Sequence, residues 1–358
     1  MTQNSTVIII KYSFISNAIS LFGNAMTNTK SLIFFTLLMQ VLLVACSSTA
    51  HDRGSRSKPA ICARCNNPIA GEYLVALNKA WHPRHFYCNA CGENLQGSHF
   101  FEKNHRPYCE SCFNKKFSPR CDVCRLPLNS KYTRDAWGYN FHSHHLSELE
   151  TCFSCARLIC KNITNGGKKY KDGRLICNIC RKTSVNSPAQ AAKHFSRIKK
   201  FMASHGLVLP NEKFPLQLVS MTVLRKSNPH FRDVAGRTEK ALFEVNGVEK
   251  VRRIEKMQVL DGLPAEHFET ILAHEFGHAW LFLNNFPVLD LQVEEGLCEL
   301  FEYLWLIEQK SEIARFRMKK MRETKDKIYG GGFRKALAGY KKYGLKKLLL
   351  QVKKKKKF

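Results

Sequence analysis

The sequence predicts an α+β protein in which small metal-stabilised modules, each built of short β-hairpins, precede a larger mixed domain. Three observations lead there. Twelve of the fifteen cysteines form six Cys-x-x-Cys pairs between Cys62 and Cys180, a spacing that brings two thiolates onto one metal ion. Past residue 205 the cysteine pairs stop, and strand-like runs alternate with long apolar helical patterns. One of those helical patterns carries His274, Glu275 and His278 among apolar neighbours, with the two histidines one turn apart on a single face.

Composition sets the outer bounds. A chain of 358 residues can form two or three domains, and 44% apolar with 24% charged residues is the composition of a folded protein. The net charge of +28 points to an anionic partner such as a membrane surface, nucleic acid or acidic protein, and is silent about fold. Part of it is local, since residues 341–358 carry nine lysines and no acid. The regular pair spacing favours metal over disulfides. Cys46, Cys160 and Cys298 stand outside the pairs.

In chain order, residues 1–25 read as an extension ahead of a start at Met26, and 26–46 as a signal peptide. Ser31 to Ala45 is almost wholly apolar, shorter than the roughly 20 residues of a membrane span. Its ending, Leu43-Val44-Ala45-Cys46, resembles the lipobox of bacterial lipoproteins and implies a lipid anchor on Cys46 in a bacterial cell envelope. A cytoplasmic location is the alternative, and suits reduced thiolates better. Residues 47–60 form a linker, 61–118 a first zinc module, 119–182 a second, 183–205 a helical linker, and 206–358 the mixed domain with its basic tail. Leu216–Leu224 and Val251–Leu260 read as strands, the latter an edge to which an extended substrate adds. Leu263-Pro264 opens a helix running to about Asn284, and a further helix covers about Gln292 to Gln309.

The ligand spacing divides the pairs into tetrahedral sets. Cys62 and Cys65 are followed by His82 and His85, then Cys88 and Cys91 by Cys109 and Cys112. Four ligands fill a zinc shell, leaving no position for chemistry, and such sites fold modules that lack an adequate core. Trp81 and Phe86 supply the apolar packing between the two ions. The string resembles a LIM domain, with His85 where cysteine is usual. A less regular copy follows: Cys121, Cys124, His142 and His145, then Cys152, Cys155, Cys177 and Cys180, with six residues instead of two between His145 and Cys152. His144 is an alternative to His142 or His145, whereas His99 and His105 read as solvated.

The segment Ala273-His274-Glu275-Phe276-Gly277-His278-Ala279-Trp280 carries the chemistry. His274 and His278 can offer nitrogens to one zinc, and Glu275, beside that face, can take a proton from a water held there. Burying such residues is costly unless they bind something. Sixteen residues after His278, Glu294-Glu295-Gly296-Leu297-Cys298-Glu299 begins. Its Glu295 and Glu299 match the Glu-x-x-x-Asp/Glu pattern of thermolysin-like zincins. Glu295 is read as the third ligand, Glu294 as its competitor, and Glu299 as a carboxylate that steadies a ligating histidine. Three protein ligands leave an open fourth position.

The order of these parts, with AHEFGHAW, VEEGLCE, Tyr329-Gly330-Gly331-Gly332-Phe333 and the late KYGLKK, resembles the DA-one family of LIM-domain peptidases over Ile61 to Leu348. The resemblance implies a zincin-like zinc endopeptidase acting on a protein substrate, with four structural zinc ions and one catalytic, and LIM modules that recognise or restrain protein partners. The ubiquitin activation known of plant members is not carried over, because no acidic ubiquitin-interacting helix precedes Cys62. Tyr329 is the candidate oxyanion donor, with Tyr340 and Tyr343 as alternatives. A LIM adaptor without enzymatic activity is the competing class. The Lys353–Lys357 tail suits an anionic membrane contact beside the anchor, and the absence of a helix following the spacing of DNA-reading fingers argues against nucleic acid.

Overall fold

The computed structural model describes residues 7–17, 59–129, 131–210, 213–226, 234–245 and 248–358. The expected signal segment 26–46 with Cys46, and residues 47–58 of the linker, lie outside them. The chain divides into two compact units, Met1–Gly23 with Leu146–Phe358, and Asn24–His145. That division passes through the stretch 119–182 read as one module. The first strand, β1 (Val7–Asn17), belongs to the larger unit.

The smaller unit is a series of short antiparallel hairpins set between ligand pairs. β2 (Leu74–Ala76) pairs with β3 (Lys79–Trp81), β4 (Phe101–Lys103) with β5 (Arg106–Tyr108), and β6 (Tyr132–Arg134) with β7 (Asn140–His142). The helix α1 (Glu110–Phe117) follows β5. Strands of three residues bury little, so one apolar cluster of Leu74, Trp81, Phe86, Leu95 and Phe113 is shared by the first two hairpins. Trp81 meets Phe86 edge-on with ring centroids 5.5 Å apart, the geometry aromatic quadrupoles favour. This bears out the packing role read for that pair.

After β1, the larger unit resumes at Leu146 within α2 (His145–Glu148), whose first residue belongs to the smaller unit, and continues with a further zinc-type module. That module consists of α3 (Lys161–Thr164), the hairpin β8 (Gly167–Lys169) with β9 (Leu175–Cys177), and α4 (Asn178–Arg181). Next comes α5 (Pro188–Ser204), started by a capping box between Ser187 and Gln190 with proline at its first position. The remaining elements are β10 (Leu216–Val219), α6 (Met221–Lys226), β11 (Val234–Val245), β12 (Val248–Leu260), α7 (Ala265–Leu283), α8 (Leu291–Gln309), α9 (Glu312–Glu323) and α10 (Tyr329–Lys355).

The sheet runs β1-β11-β12-β10, antiparallel except that β10 is parallel to β12. Two expectations need correction. Val251–Leu260 is an edge only in part: β12 lies between β11 and β10, with Met257–Val259 paired on both sides, while the residues before Met257 pair with β11 alone among the described strands. The run Leu216–Leu224 is strand only to Val219. Ser220 then accepts the Val223 and Leu224 amides, and the Asp172 carboxylate accepts the Met221 amide. These contacts turn the chain into α6 and bury Met221 and Leu224, three residues apart, on one helical face.

α7 is buried continuously from His267 to Leu281, as expected of a helix apolar on nearly all sides. It packs between the sheet and α8. α8 also crosses α10, and there the glycines are required by space. A Cβ on Gly296 would lie 2.6 Å from the Gly332 carbonyl oxygen, and one on Gly332 would overlap the Gln292 carbonyl. The Gly330-Gly331-Gly332 run thus lets α10 begin in backbone contact with α8, which sets Tyr329 beside the acidic face of α8. Gly344, at φ 73°, breaks α10 before its lysine-rich end.

Candidate functional site

None of the described cysteines forms a disulfide. The four sets read from spacing each come together with all ligand atoms within 4.8 Å: Cys62, Cys65, His82, His85; Cys88, Cys91, Cys109, Cys112; Cys121, Cys124, His142, His145; and Cys152, Cys155, Cys177, Cys180. Individual separations fit a shared ion. Cys62 Sγ lies 3.6 Å from His85 Nδ1, Cys65 Sγ 3.5 Å from His82 Nδ1, and Cys124 Sγ 3.5 Å from His142 Nδ1. The pairs Cys91–Cys109 and Cys155–Cys177 are each 3.7 Å apart. Tetrahedral ligands about 2.0–2.3 Å from one zinc stand roughly 3.3–3.8 Å from each other, whereas a disulfide would need about 2.05 Å. Backbone amides from the knuckle turns point at the sulfurs. With the His85 ring they hold Cys62 down to about 5, against a burial that pushes it up. His144 stacks on His142 at 5.4 Å but falls outside the ligand set.

The fifth group sits between α7 and α8. His274 Nε2 lies 3.1 Å and His278 Nε2 3.7 Å from the same oxygen, Glu295 Oε2. These are separations of atoms that share one tetrahedral zinc. Glu275, fully buried, accepts a 2.6 Å hydrogen bond from the Thr238 hydroxyl on β11. A Cβ on Gly236 would come 2.6 Å from Glu275 Oε1, so glycine at that strand position leaves room for the carboxylate. Glu294 is turned away from the Nε2 atoms. It accepts from His278 Nδ1 at 2.9 Å and from Lys240 Nζ at 2.8 Å. Glu299 and Glu302 each stand 3.8 Å from His274 Nδ1.

Thus the outer nitrogen of each histidine faces carboxylate, which fixes ring orientation and raises ligand basicity. Sequence reasoning named Glu299 and weighed Glu294 as a ligand. It missed Glu302, Lys240 and Thr238, although Glu295, Glu299 and Glu302 recur at intervals of four and three residues, the signal of one helical face.

The local field is that of a cation site. Burial would hold Glu295 protonated, but His278 and His274 bring its carboxyl down to about 2. Burial disfavours charge on His278, yet Cys298 and Glu295 raise its pKa well above the usual imidazole range. Burial and neighbouring Glu302, Glu295 and Asp326 push Glu299 well up. Carboxyl groups gathered around two imidazoles suit a divalent ion. The donor set and separations therefore fit zinc. Cys298 Sγ also lies within 4.8 Å of both histidine nitrogens, its thiol pushed up to about 12 by burial.

Tyr329 is buried, and burial followed by Glu295, Glu299, Asp326 and Glu275 raises its hydroxyl pKa, so it is a neutral donor beside those carboxylates. Tyr340 is half-buried and Tyr343 exposed.

The chain thus joins zinc-type Cys/His modules to a larger mixed α/β unit in which buried histidines and glutamates converge. The LIM-domain family matches residues 62–117, and the DA1-like family, described as Protein DA1, matches residues 182–315. Among curated relatives, Protein DA1 of Arabidopsis thaliana is 26% identical over 82% of this chain and 66% of its own length. Protein DA1-related 1 of the same plant is 28% identical over 69% of this chain and 51% of its own. LIM domain-containing protein HDR3 of Oryza sativa subsp. japonica is 24% identical over 85% and 74%. The chain carries a LIM domain and a DA1-like domain, and its homologues are plant DA1 and LIM domain-containing proteins.

These relatives overturn the expected lipid-anchored location in a bacterial envelope, because they are plant proteins and not bacterial lipoproteins. Four residues closing an apolar run make too short a motif to outweigh similarity across most of the chain. No helix among the described residues is long and apolar enough to cross a membrane.

Proposed function

We propose that the larger unit is a zincin-like, zinc-dependent endopeptidase that hydrolyses peptide bonds in protein substrates, with the LIM modules serving partner recognition. The convergence of His274 and His278 on Glu295 Oε2, with Glu275 buried alongside, carries the reading. His274, His278 and Glu295 would hold the ion. When bound, zinc acidifies water and polarises a carbonyl.

The chain's own groups do the rest. Thr238 orients the Glu275 carboxylate, which accepts the proton of the attacking water and passes it to the leaving amine nitrogen. Tyr329 donates a hydrogen bond to the carbonyl oxygen as negative charge grows on it. Lys240 and Glu294 keep the His278 ring in place.

Glu275→Gln tests this. The variant should retain metal and lose about 100- to 10,000-fold in cleavage rate, while Glu295→Ala should lose metal and activity together. Metal analysis should find five zinc ions per chain, four in the cysteine-bearing sets and one here. Wild-type cleavage by Glu275→Gln at full zinc content would dismiss the mechanism.

A further inference from the structure

The turn between α7 and α8 walls one side of a pocket enclosing about 500 Å3 of open space, within the size range of ligand sites. Leu242, Leu281, Phe282, Phe286 and Leu289 line it, and Val288, 79% exposed, stands at its mouth. The pocket shares a wall with the His/Glu centre. Lys240 and Glu294 line it, and the same Glu294 Oε1 accepts from His278 Nδ1 at 2.9 Å.

β11 sets the distance between the two. Gly236, Thr238, Lys240 and Leu242 alternate onto one face of the strand. The first two stand against Glu275, Lys240 meets Glu294, and Leu242 reaches the pocket. At about 3.4 Å per residue, Lys240 lies roughly 7 Å beyond Thr238. An extended peptide advances at the same rate, so a side chain about two positions from a bond held at Glu275 arrives at the pocket.

Cations frame the mouth. Arg252 lines the pocket and donates to the carbonyls of Phe282 at 3.1 Å and Phe286 at 3.0 Å. Lys353 Nζ, on α10, donates to the Asn284 carbonyl at 2.7 Å and lies 5.5 Å from the Phe286 ring centre. Lys354, Lys355, Lys356 and Lys357 follow, all exposed. Of the neighbouring acids, Glu294 is engaged by Lys240 and His278, and Asp290 caps α8 through the Gln292 amide.

We propose that this pocket selects the substrate: it takes a leucine-sized apolar side chain of a polypeptide whose flanking residues are acidic, with Lys353 and the lysines after it facing the acids. Apolar walls inside a positive rim complement such a segment. A nucleic acid would engage the lysines and leave the apolar walls without a partner. The inference rests on the peptidase reading, which places the scissile bond at Glu275.

The test uses the full, zinc-loaded chain and a labelled synthetic peptide, mostly alanine, with one leucine flanked on both sides by glutamates. Fluorescence anisotropy reads binding to Glu275→Gln, and the wild type reads cleavage. Exchanging the leucine for alanine should weaken binding about 10-fold or more. Exchanging the glutamates for lysines should weaken it at low salt and less so near about 1 M, where charges are screened within about 3 Å. Val288→Asp, at an exposed position, should erase the leucine preference, and Lys353→Glu should reduce the glutamate preference while leaving that for leucine.

Equal binding of the leucine and alanine peptides, or a leucine preference kept by Val288→Asp, overturns the inference. So does equal binding of the glutamate and lysine peptides at low salt. Cleavage of all three peptides alike would sink it and leave the peptidase reading standing. Selective binding without cleavage by the wild type would uphold the pocket and sink the peptidase reading.

Discussion

Glu294→Gln should separate the stability of the site from its hold on metal. Glu294 is the counter-charge of Lys240, whose side chain is 4% exposed, and the hydrogen-bond acceptor of His278 Nδ1. Its carboxyl, which burial would raise, is drawn below the ordinary 4.5 by Lys240 and His278, so the anion is the working form. Neutralising it takes that carboxylate from a buried ammonium, near which the Phe282 ring lies at 5.5 Å. Breaking a buried pair on one side costs about 3–5 kcal/mol. His278 also loses the group that orients it, which costs about 10- to 100-fold in metal affinity.

Replacing both charges reverses one effect and not the other. In Lys240→Met/Glu294→Gln no charge is stranded, so most of the stability should return, because apolar replacement of a buried pair is close to neutral. Zinc affinity should stay low, because His278 still faces an amide. Denaturant unfolding of metal-free protein and chelator competition read the two quantities. A double variant no more stable than Glu294→Gln, or a Glu294→Gln site with wild-type zinc affinity, would refute the reasoning.

Further consequences are as direct. Tyr329→Phe should keep full zinc content while kcat on a peptide substrate falls about 100- to 1,000-fold, the cost of one oxyanion donor; an unchanged kcat removes Tyr329 from the mechanism. Gly332→Ala should destabilise by about 1–3 kcal/mol, because the new Cβ overlaps the Gln292 carbonyl; an unchanged denaturation midpoint would refute the tight crossing. For Asp172, burial acts upward, but Arg174 and the Met221 amide bring its carboxyl below the ordinary 3.8. A depressed folded pKa stabilises fully above that value and is lost as pH falls through the folded pKa. Asp172→Asn should therefore cost about 1.5–3 kcal/mol at pH 7, with the gap to wild type narrowing below pH 3.8. An equal gap at pH 3 contradicts this.

What the sequence determined by itself was whatever depends on covalent spacing. Cys-x-x-Cys turns and the His274–His278 interval are short-range constraints. A knuckle brings its two sulfurs together, and a helix its two imidazoles, whatever the rest of the chain does. All four cysteine-bearing ligand sets and the helix bounds of α7 and α8 to within about two residues follow from such intervals. The lipobox-like Leu43–Cys46 had equally regular spacing but only four positions, and similarity over most of the chain outweighed it.

Tertiary structure alone decided what depends on which surfaces meet. Nothing in the run Leu216–Leu224 announces that Asp172, far back in a zinc module, accepts the Met221 amide and turns the strand into a helix. Val251–Leu260 reads the same whether it lies at an edge or between two strands, since β pattern records burial and not neighbours. The assignment of Glu294 to His278 and Lys240, and of Glu302 to His274, required the crossing of α7 on α8 and the position of β11. A carboxylate's role is set by the atoms it faces, and across a packed interface those come from distant parts of the chain.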